Sequence, residues 1–471
     1  MTINSLLTAF DIGDQPELIA IVGGGGKTSL MFTLAKALPG RVVITTTTRI
    51  FAAQMKLAPA ACTTDDLTPL STHLAQHGTC LVIGEVQGDK ALGVDPSLPG
   101  QLLAHPDVDY VIVEADGSRM RPIKAPAAHE PVIPPEATLV IPVVGIDALD
   151  GPLDKVAHRP ELVRAVISKQ YSVASNVAQR PPRVQFSDAE SRLSVEDVAA
   201  LLVHPEGGLK GVPERARVIP LLNKVETAGQ LTLARQIAHH ALRPSPLPPR
   251  PSPLAPRPSP PHIVIGAIRT PQPICEVQRR VTAVILAAGE AKRMGQTKQL
   301  LPWGDTTVLG QTIRQTKQSL VHEVWAVSGH RPEEVEAIAD QEDIYVLRNP
   351  QYASGEMLSS LQTAVAQFPP HTAAVLVMLA DQPMVEPETI NQLLIAFWQG
   401  KGQLIAPAYK DKRGNPVLIG RSHFPQLLAL PVGDAPRTLL QKHPVYIVPV
   451  TSDSILRDLD RPEDYERERP S

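Results

Sequence analysis

The sequence predicts an α/β protein of two domains, each a three-layer arrangement of a sheet with helices on both faces. Three observations predict it. Both halves alternate short Val/Ile/Leu runs with helix-patterned segments, and strands apolar on both sides belong to sheets covered on both faces. The length, 471 residues, exceeds one ordinary domain and suits two or three. A proline tract, residues 243–261, breaks the alternation near the middle.

In the first half the strand runs are ELIAIVG, RVVITTT, TCLVIGE, DYVIVEA, ATLVIPVVG and RVIPLLN. The proline tract follows, a repeat built on Arg-Pro-Ser-Pro. Proline this dense cannot form a helix or a central strand and favours extended polyproline II. It reads as a disordered, semi-rigid spacer, with a ligand for a proline-binding module as the alternative. After it, HIVIGAI (His262 to Ile268) is an apolar strand run that returns to the first sheet. The first domain is therefore expected over 1–278, with the tract as an insertion in it, and the second over 279–471. The strand runs of the second are VTAVILAAG, EVWAVSG, IYVLRN, AAVLVMLAD, QLIAPAY and VYIVPV. Aromatic residues are only 4%, so the cores must be mostly aliphatic.

Charge and composition narrow the function. A formal net charge of −3 leaves no basic footprint for nucleic acid. No apolar run reaches the length of a membrane span, and the N-terminus lacks the pattern of a signal peptide, so a cytoplasmic protein is expected. Cys62, Cys80 and Cys275 are odd in number, far apart and without C-x-x-C spacing, which argues against a disulfide framework and a zinc site.

Ligands in such sheets sit at the carboxyl ends of strands. VTAVILA runs directly into a loop from Ala287 to Lys298. Small Ala287, Ala288 and Gly289 let backbone amides approach phosphate oxygens, and Arg293 and Lys298 supply positive charge. Nucleotidyl transfer needs this combination, because negative charge builds on the α-phosphate and on departing pyrophosphate. The strand VLVMLAD ends at Asp381, where a carboxylate facing that loop is placed to hold Mg²⁺. A helix N-cap is the alternative role for that aspartate.

The ordered set LAAGEAKRMGQTKQLLPWG, VSGH, RNPQYASGEMLSSLQTAV, LADQPMV, RGNPVLIG, GDAPRTLL and DLDRPEDY resembles the MobA-like molybdenum-cofactor nucleotidyltransferases, over nearly all of Val281 to Tyr465. It is most similar to the cytidylyltransferase branch. The resemblance implies a Rossmann-like nucleotidyltransferase fold and a triphosphate loop, Leu286 to Lys298, including Gly295. It implies Asp381 as magnesium ligand, with Asp460 as a second, and Arg293, Lys298 and Asp381 as the catalytic set. CTP and the molybdopterin cofactor would be the substrates. Asn349 and the Ser359–Ser360 segment would border the nucleotide, and Asn415 and Asp434 would lie on the cofactor side. The guanylyl branch typically has Leu-Ala-Gly-Gly where this chain has Leu286-Ala287-Ala288-Gly289. The extra methyl favours a pyrimidine by about 1–3 kcal/mol. The family pattern GDxGAR reads Gly433-Asp434-Ala435-Pro436-Arg437 here.

In the first half, a strand, a glycine run and a helix meet in IAIVGGGGKTSL. Amides of Gly23, Gly24, Gly25 and Gly26 at a helix start form an anion site, Lys27 can reach phosphate, and Thr28 can touch Mg²⁺. A standard P-loop has glycine where this chain has Ile21, so the domain is P-loop-like with a shorter loop. Glu114 and Asp116 end another strand as an acidic pair suited to the metal. Thr45 to Thr48 and Arg49 stand at a third strand end as phosphate contacts, and Asn223-Lys224-Val225-Glu226 is read either as a base-recognition motif or as a surface turn. His129 and His158 lack paired metal-ligand spacing.

GGGGKTSL, TTTTRIF, VEADGSRMRPIKAP, VVGIDALDGPLDKVAHRPE, HPEGGLKG and NKVE together resemble the YqeC-type accessory proteins of selenium-dependent hydroxylases, from Leu18 to Val277. That resemblance implies a nucleotide-binding maturation role with a molybdenum hydroxylase apoenzyme as partner. The two halves together imply a cytidylyltransferase fused to an accessory domain. The alternatives are transfer to another phosphorylated acceptor, or a carrier that hands cofactor on without turnover.

Overall fold

The structure, a computed structural model, describes residues 5–174, 191–243, 260–290, 297–431 and 433–470. Arg293, Gly295 and most of the proline tract lie outside them. The described chain forms two compact units, one of residues 5–242 and 260–278 and one of residues 279–470.

The first unit is organised by a long sheet. Its strands are β1 (Glu17–Gly23), β2 (Val42–Thr46), β3 (Ala61–Thr63), β4 (Thr79–Ile83), β5 (Tyr110–Glu114), β6 (Leu139–Gly145), β7 (Leu221–Asn223), β8 (His262–Gly266) and β9 (Ile274–Arg279). Their order across the sheet is β9-β8-β7-β6-β1-β5-β2-β4-β3. Every pair from β8 to β3 is parallel. Parallel strands are apolar on both sides, and β1 shows why. Ile19 and Ile21 enter one core with Leu30 and Leu34 of helix α1 (Lys27–Ala37), while Leu18, Ala20 and Val22 enter another with Leu70 and Leu74. The expected run RVIPLLN is two pieces, Arg217–Val218 and β7, separated at Pro220, which has no N–H to donate; both pieces pair with β6. Two strands of this long sheet went unread: β3, only three residues long, and β9, whose ICEVQR carries charged and polar residues.

The second unit has strands β10 (Val281–Ala287), β11 (Glu323–Ser328), β12 (Tyr345–Arg348), β13 (Ala374–Leu379), β14 (Leu404–Tyr409), β15 (Val417–Gly420) and β16 (Tyr446–Pro449). The order is β12-β11-β10-β13-β15-β14, with β16 beside β14 and a short strand, Lys412–Arg413, at the end. The first four strands are parallel. β15 enters antiparallel between β13 and β14, so this sheet is mixed. Ala283 and Ile285 of β10 face Leu309 and Ile313, and Val284 faces Leu358 and Leu361. All three tryptophans belong to this unit. Trp398 is fully buried and donates its indole N–H to the Arg279 carbonyl at 3.0 Å. Trp325 meets Tyr345 and Phe368 edge-on, at ring-centroid distances of 4.9 and 5.0 Å. Trp303 packs with Leu459 and Tyr465. Among the described residues no helix is long and apolar enough to cross a membrane.

Candidate functional site

β10 and β13 are parallel neighbours, so Ala288–Gly289 and Ala380–Asp381 leave the sheet at the same edge. An open cleft of about 230 Å³ lies there. Its walls are Leu286 to Gly289, Lys298, Gln299, Tyr352, Met357, Ser360 and Leu379 to Asp381. Gly329 permits the close approach on one side. A Cβ on it would sit 2.5 Å from Cβ of Tyr352 and 2.8 Å from Cβ of Ala288. Gln299 is almost fully buried and donates its side-chain amide to the carbonyls of Ala287 and Gly289, both at 3.1 Å. The turn after β10 is thereby held by the residue that follows Lys298.

Lys298 carries the charge of the cleft. Its Nζ donates to Oδ2 of Asp381 and, at 2.8 Å, to Oδ1 of Asp460. Burial alone would lower the amine, but the two carboxylates outweigh it and hold Lys298 above the ordinary lysine range. A third carboxylate, Asp458, stands beside them. Desolvation first, and then the Asp381 charge, push it up, against a 2.5 Å hydrogen bond from Nε2 of Gln382. Leu459 N–H donates to the Asp381 carbonyl at 3.2 Å, tying this aspartate segment to the end of β13.

In the first unit the glycine turn follows β1 between the ends of β5 and β6. It has room for no side chain: a Cβ on Gly24 would lie 2.5 Å from the Arg121 carbonyl oxygen, and one on Gly25, whose φ is +80°, would lie 2.2 Å from the Gly145 nitrogen. Gly23 N–H donates to both carboxylate oxygens of Asp116 at 3.1 Å, Gly24 N–H to Val143 O at 2.8 Å and Gly25 N–H to Arg121 O at 3.1 Å. The sequence expectation that these three amides face a phosphate is thus corrected, because they are spent inside the protein. An anion would meet the first turn of α1 instead, where helical N–H groups lack intrahelical acceptors. Asn223 braces the turn, donating to Gly25 O at 2.8 Å and accepting from Ile268 N–H at 3.1 Å.

Around this turn runs a chain of buried and half-buried ions of alternating sign. Lys27 lies 3.7 Å from Glu114 and 3.2 Å from Asp116, and Thr28 donates to Glu114 at 2.9 Å. Lys124 joins Asp116 at 3.1 Å to Glu130 at 2.8 Å, and Arg159 pairs with Glu130. Burial pushes the Glu114 carboxyl up, only partly countered by Lys27. Burial would also raise Glu130, but hydrogen bonds from Arg159 and Lys124 prevail and hold it at about 2.

The family description YqeC protein matches residues 19–161, and the MobA-like NTP transferase domain matches residues 283–446. Protein YqeC of Escherichia coli (strain K12) is 32% identical over 220 residues, which are 45% of this chain and 79% of that protein. The chain is a YqeC family member joined to a MobA-like NTP transferase domain. The MobA-like half is similar to the molybdenum cofactor cytidylyltransferase of Escherichia coli (strain K12), with 28% identity over 187 residues, 39% of this chain and 93% of that protein. It is also similar to nicotine blue oxidoreductase of Paenarthrobacter nicotinovorans, with 31% identity over 190 residues, 38% of this chain and 92% of that protein. The second unit is a nucleotidyltransferase domain.

Of the residues singled out in the sequence, the MobA-like domain brings Leu286, Ala287, Ala288, Gly289, Lys298, Ser360 and Asp381 to one cleft, with Asp460 on Lys298. Asn349 stands behind the wall, donating Nδ2 to Ser359 at 2.8 Å and Ser360 at 3.0 Å. Asn415 and Asp434 do not line the cleft. In the YqeC domain, Lys27, Thr28, Glu114 and Asp116 meet. The hydroxyls of Thr45, Thr46 and Thr47 do not reach toward a ligand: they donate to the carbonyls of Val82, Glu114 and Val132, so their strand-end position is structural. Lys224 pairs with Asp147 at 2.6 Å. His129 is exposed, and His158 is half-buried and shifted down by burial and then by Arg159. Sequence reading missed Gln299, Tyr352 and Asp458. Gln299 adjoins Lys298 and Asp458 sits two residues before Asp460, so proximity was the available signal. Lys124 and Arg159 lay in motifs of the YqeC resemblance without being singled out, and Glu130 lay in none; only the fold joins the three.

Proposed function

We propose that the MobA-like domain transfers the cytidylyl group of CTP to the phosphate of the molybdopterin cofactor. An oxygen of the acceptor phosphate attacks the α-phosphorus of CTP. The bond from that phosphorus to the bridging oxygen breaks, and the electron pair leaves on pyrophosphate. The observation that carries the reading is the convergence of Lys298, Asp381 and Asp460 at the mouth of the cleft. Asp381 and Asp460 are hard oxygen donors that already share one cation, the Lys298 ammonium, so they fit Mg²⁺. Bound Mg²⁺ would neutralise triphosphate oxygens and the charge on the transferring group. Lys298, held protonated by its partners, supplies positive charge to the departing pyrophosphate. Ala288 places a methyl on the cleft wall, which supports CTP over GTP.

The YqeC domain, in this reading, binds a nucleotide at the first turn of α1 with Lys27 and Thr28, beside Glu114 and Asp116. It supports maturation of a molybdenum hydroxylase, whose apoenzyme is the expected partner.

The test is pyrophosphate release by the purified chain with Mg²⁺, molybdopterin cofactor and either CTP or GTP. Cofactor-dependent release with CTP, lost in Asp381→Asn, is the expected result. Release with GTP alone would overturn the base assignment. The similarity to nicotine blue oxidoreductase supports a second reading, an electron-transfer substrate in the same cleft. The lysine–aspartate cluster favours phosphate chemistry, and nucleotide binding without pyrophosphate release would reverse that preference.

A further inference from the structure

Cys62 and Cys80 are separated in sequence, and their spacing spoke against a metal. The fold reverses that. Cys62 lies on β3 and Cys80 on the adjacent parallel β4, in a register that pairs Cys62 with Val82. Residues two apart on a strand share a face, so Cys80 and Cys62 point to the same side. The helix Leu70–His77 covers that side and brings His73 over both. Cys62 Sγ lies 3.5 Å from Nδ1 of His73 and 3.6 Å from Cys80 Sγ, and Cys80 Sγ lies 3.8 Å from the same nitrogen.

We propose that Cys62, His73 and Cys80 form a binding site for a soft divalent cation of the zinc class. Zinc bonds of about 2.3 Å to sulfur and about 2.0–2.1 Å to nitrogen, at tetrahedral angles, place two sulfurs about 3.8 Å apart and a sulfur and a nitrogen about 3.5 Å apart. The three donors already stand at those separations. Two sulfurs and an imidazole are the donor set that zinc selects over magnesium or calcium. The fourth position falls to water. Binding replaces two thiol protons, which leave to solvent, and no electron changes hands. The site would fasten the edge strand β3 to β4 and to the covering helix.

The test is titration of the reduced full chain with Co²⁺ as a spectroscopic probe, followed by Zn²⁺. One equivalent should bind with a thiolate-to-cobalt charge-transfer band and tetrahedral d–d bands, and Zn²⁺ should erase both. Cys62→Ser should abolish the charge transfer or strongly weaken binding. His73 is half-buried, so His73→Gln should leave the fold intact by circular dichroism. It should still cost more than the roughly 10–100-fold in affinity that even outer-shell partners of a metal are worth. Reduced wild-type protein that shows no such band would overturn the proposal. Binding undiminished in His73→Gln and Cys62→Ser alike would also overturn it.

Discussion

Lys298 answers to two carboxylates at once, and that sets what its neighbours can be changed to. Asp381→Asn keeps the shape and removes the charge. It should lower pyrophosphate release roughly 100-fold or more, in kcat rather than KM, because the Mg²⁺ that Asp381 would hold neutralises charge that builds as the leaving group departs. Ala288→Gly removes one methyl from the cleft wall and should shift the ratio of kcat/KM values for CTP and GTP toward GTP by about tenfold or more. Lys298 also has a pH signature. Its folded value is raised, so its ion pairs stabilise fully below the ordinary 10.5 and are lost as pH rises through the higher folded value. Lys298 and Asp381 were legible in the sequence because each ends a local pattern, one a glycine-containing loop and the other an apolar strand. Gln299 was not, since its role is to hold two carbonyls that only the turn of the backbone brings to it. The threonines at the end of β2 misled for a related reason: a hydroxyl at a strand end looks free until the neighbouring strand supplies its acceptor.

The glycine turn after β1 is an element whose conformation leaves little slack. Gly24→Ala would press a methyl against the Arg121 carbonyl and should cost roughly 1–3 kcal/mol, read as a fall in the unfolding midpoint of the YqeC domain. Nucleotide affinity of that domain should fall with it. Glu130 gives the same domain an acid limit. Its folded carboxyl titrates at about 2, below the ordinary 4.5, so its contribution is present above 4.5 and disappears as pH falls toward 2. Glu130→Gln should flatten the acid-unfolding profile in that window; an unchanged profile would remove Glu130 from the cause. Long apolar strands were readable because a parallel strand buried on both faces needs no pattern beyond continuous Val, Ile and Leu. β3 and β9 escaped, one too short to show a period and the other carrying Glu276, which is buried against Arg235. β15 was present in the text of a motif, yet its antiparallel direction is a property of the chain's return path and not of its composition.

Each unit has its own cores, built from its own strands and helices. A fragment of residues 279–471 should therefore fold and keep the pyrophosphate-releasing activity of the full chain, within about threefold in kcat/KM, a difference worth less than about 1 kcal/mol. A fragment that folds by circular dichroism but is inactive would show that the YqeC domain contributes to the reaction itself. The placement of the three tryptophans has a practical corollary. Trp303, Trp325 and Trp398 all report on the MobA-like domain, and the YqeC domain contains no indole. Emission excited at the red edge of protein absorption is thus an intrinsic label for one half of the chain. Its change with denaturant should trace the unfolding of that half alone, while far-ultraviolet circular dichroism follows both, and the gap between the two curves would measure the YqeC domain without any attached dye.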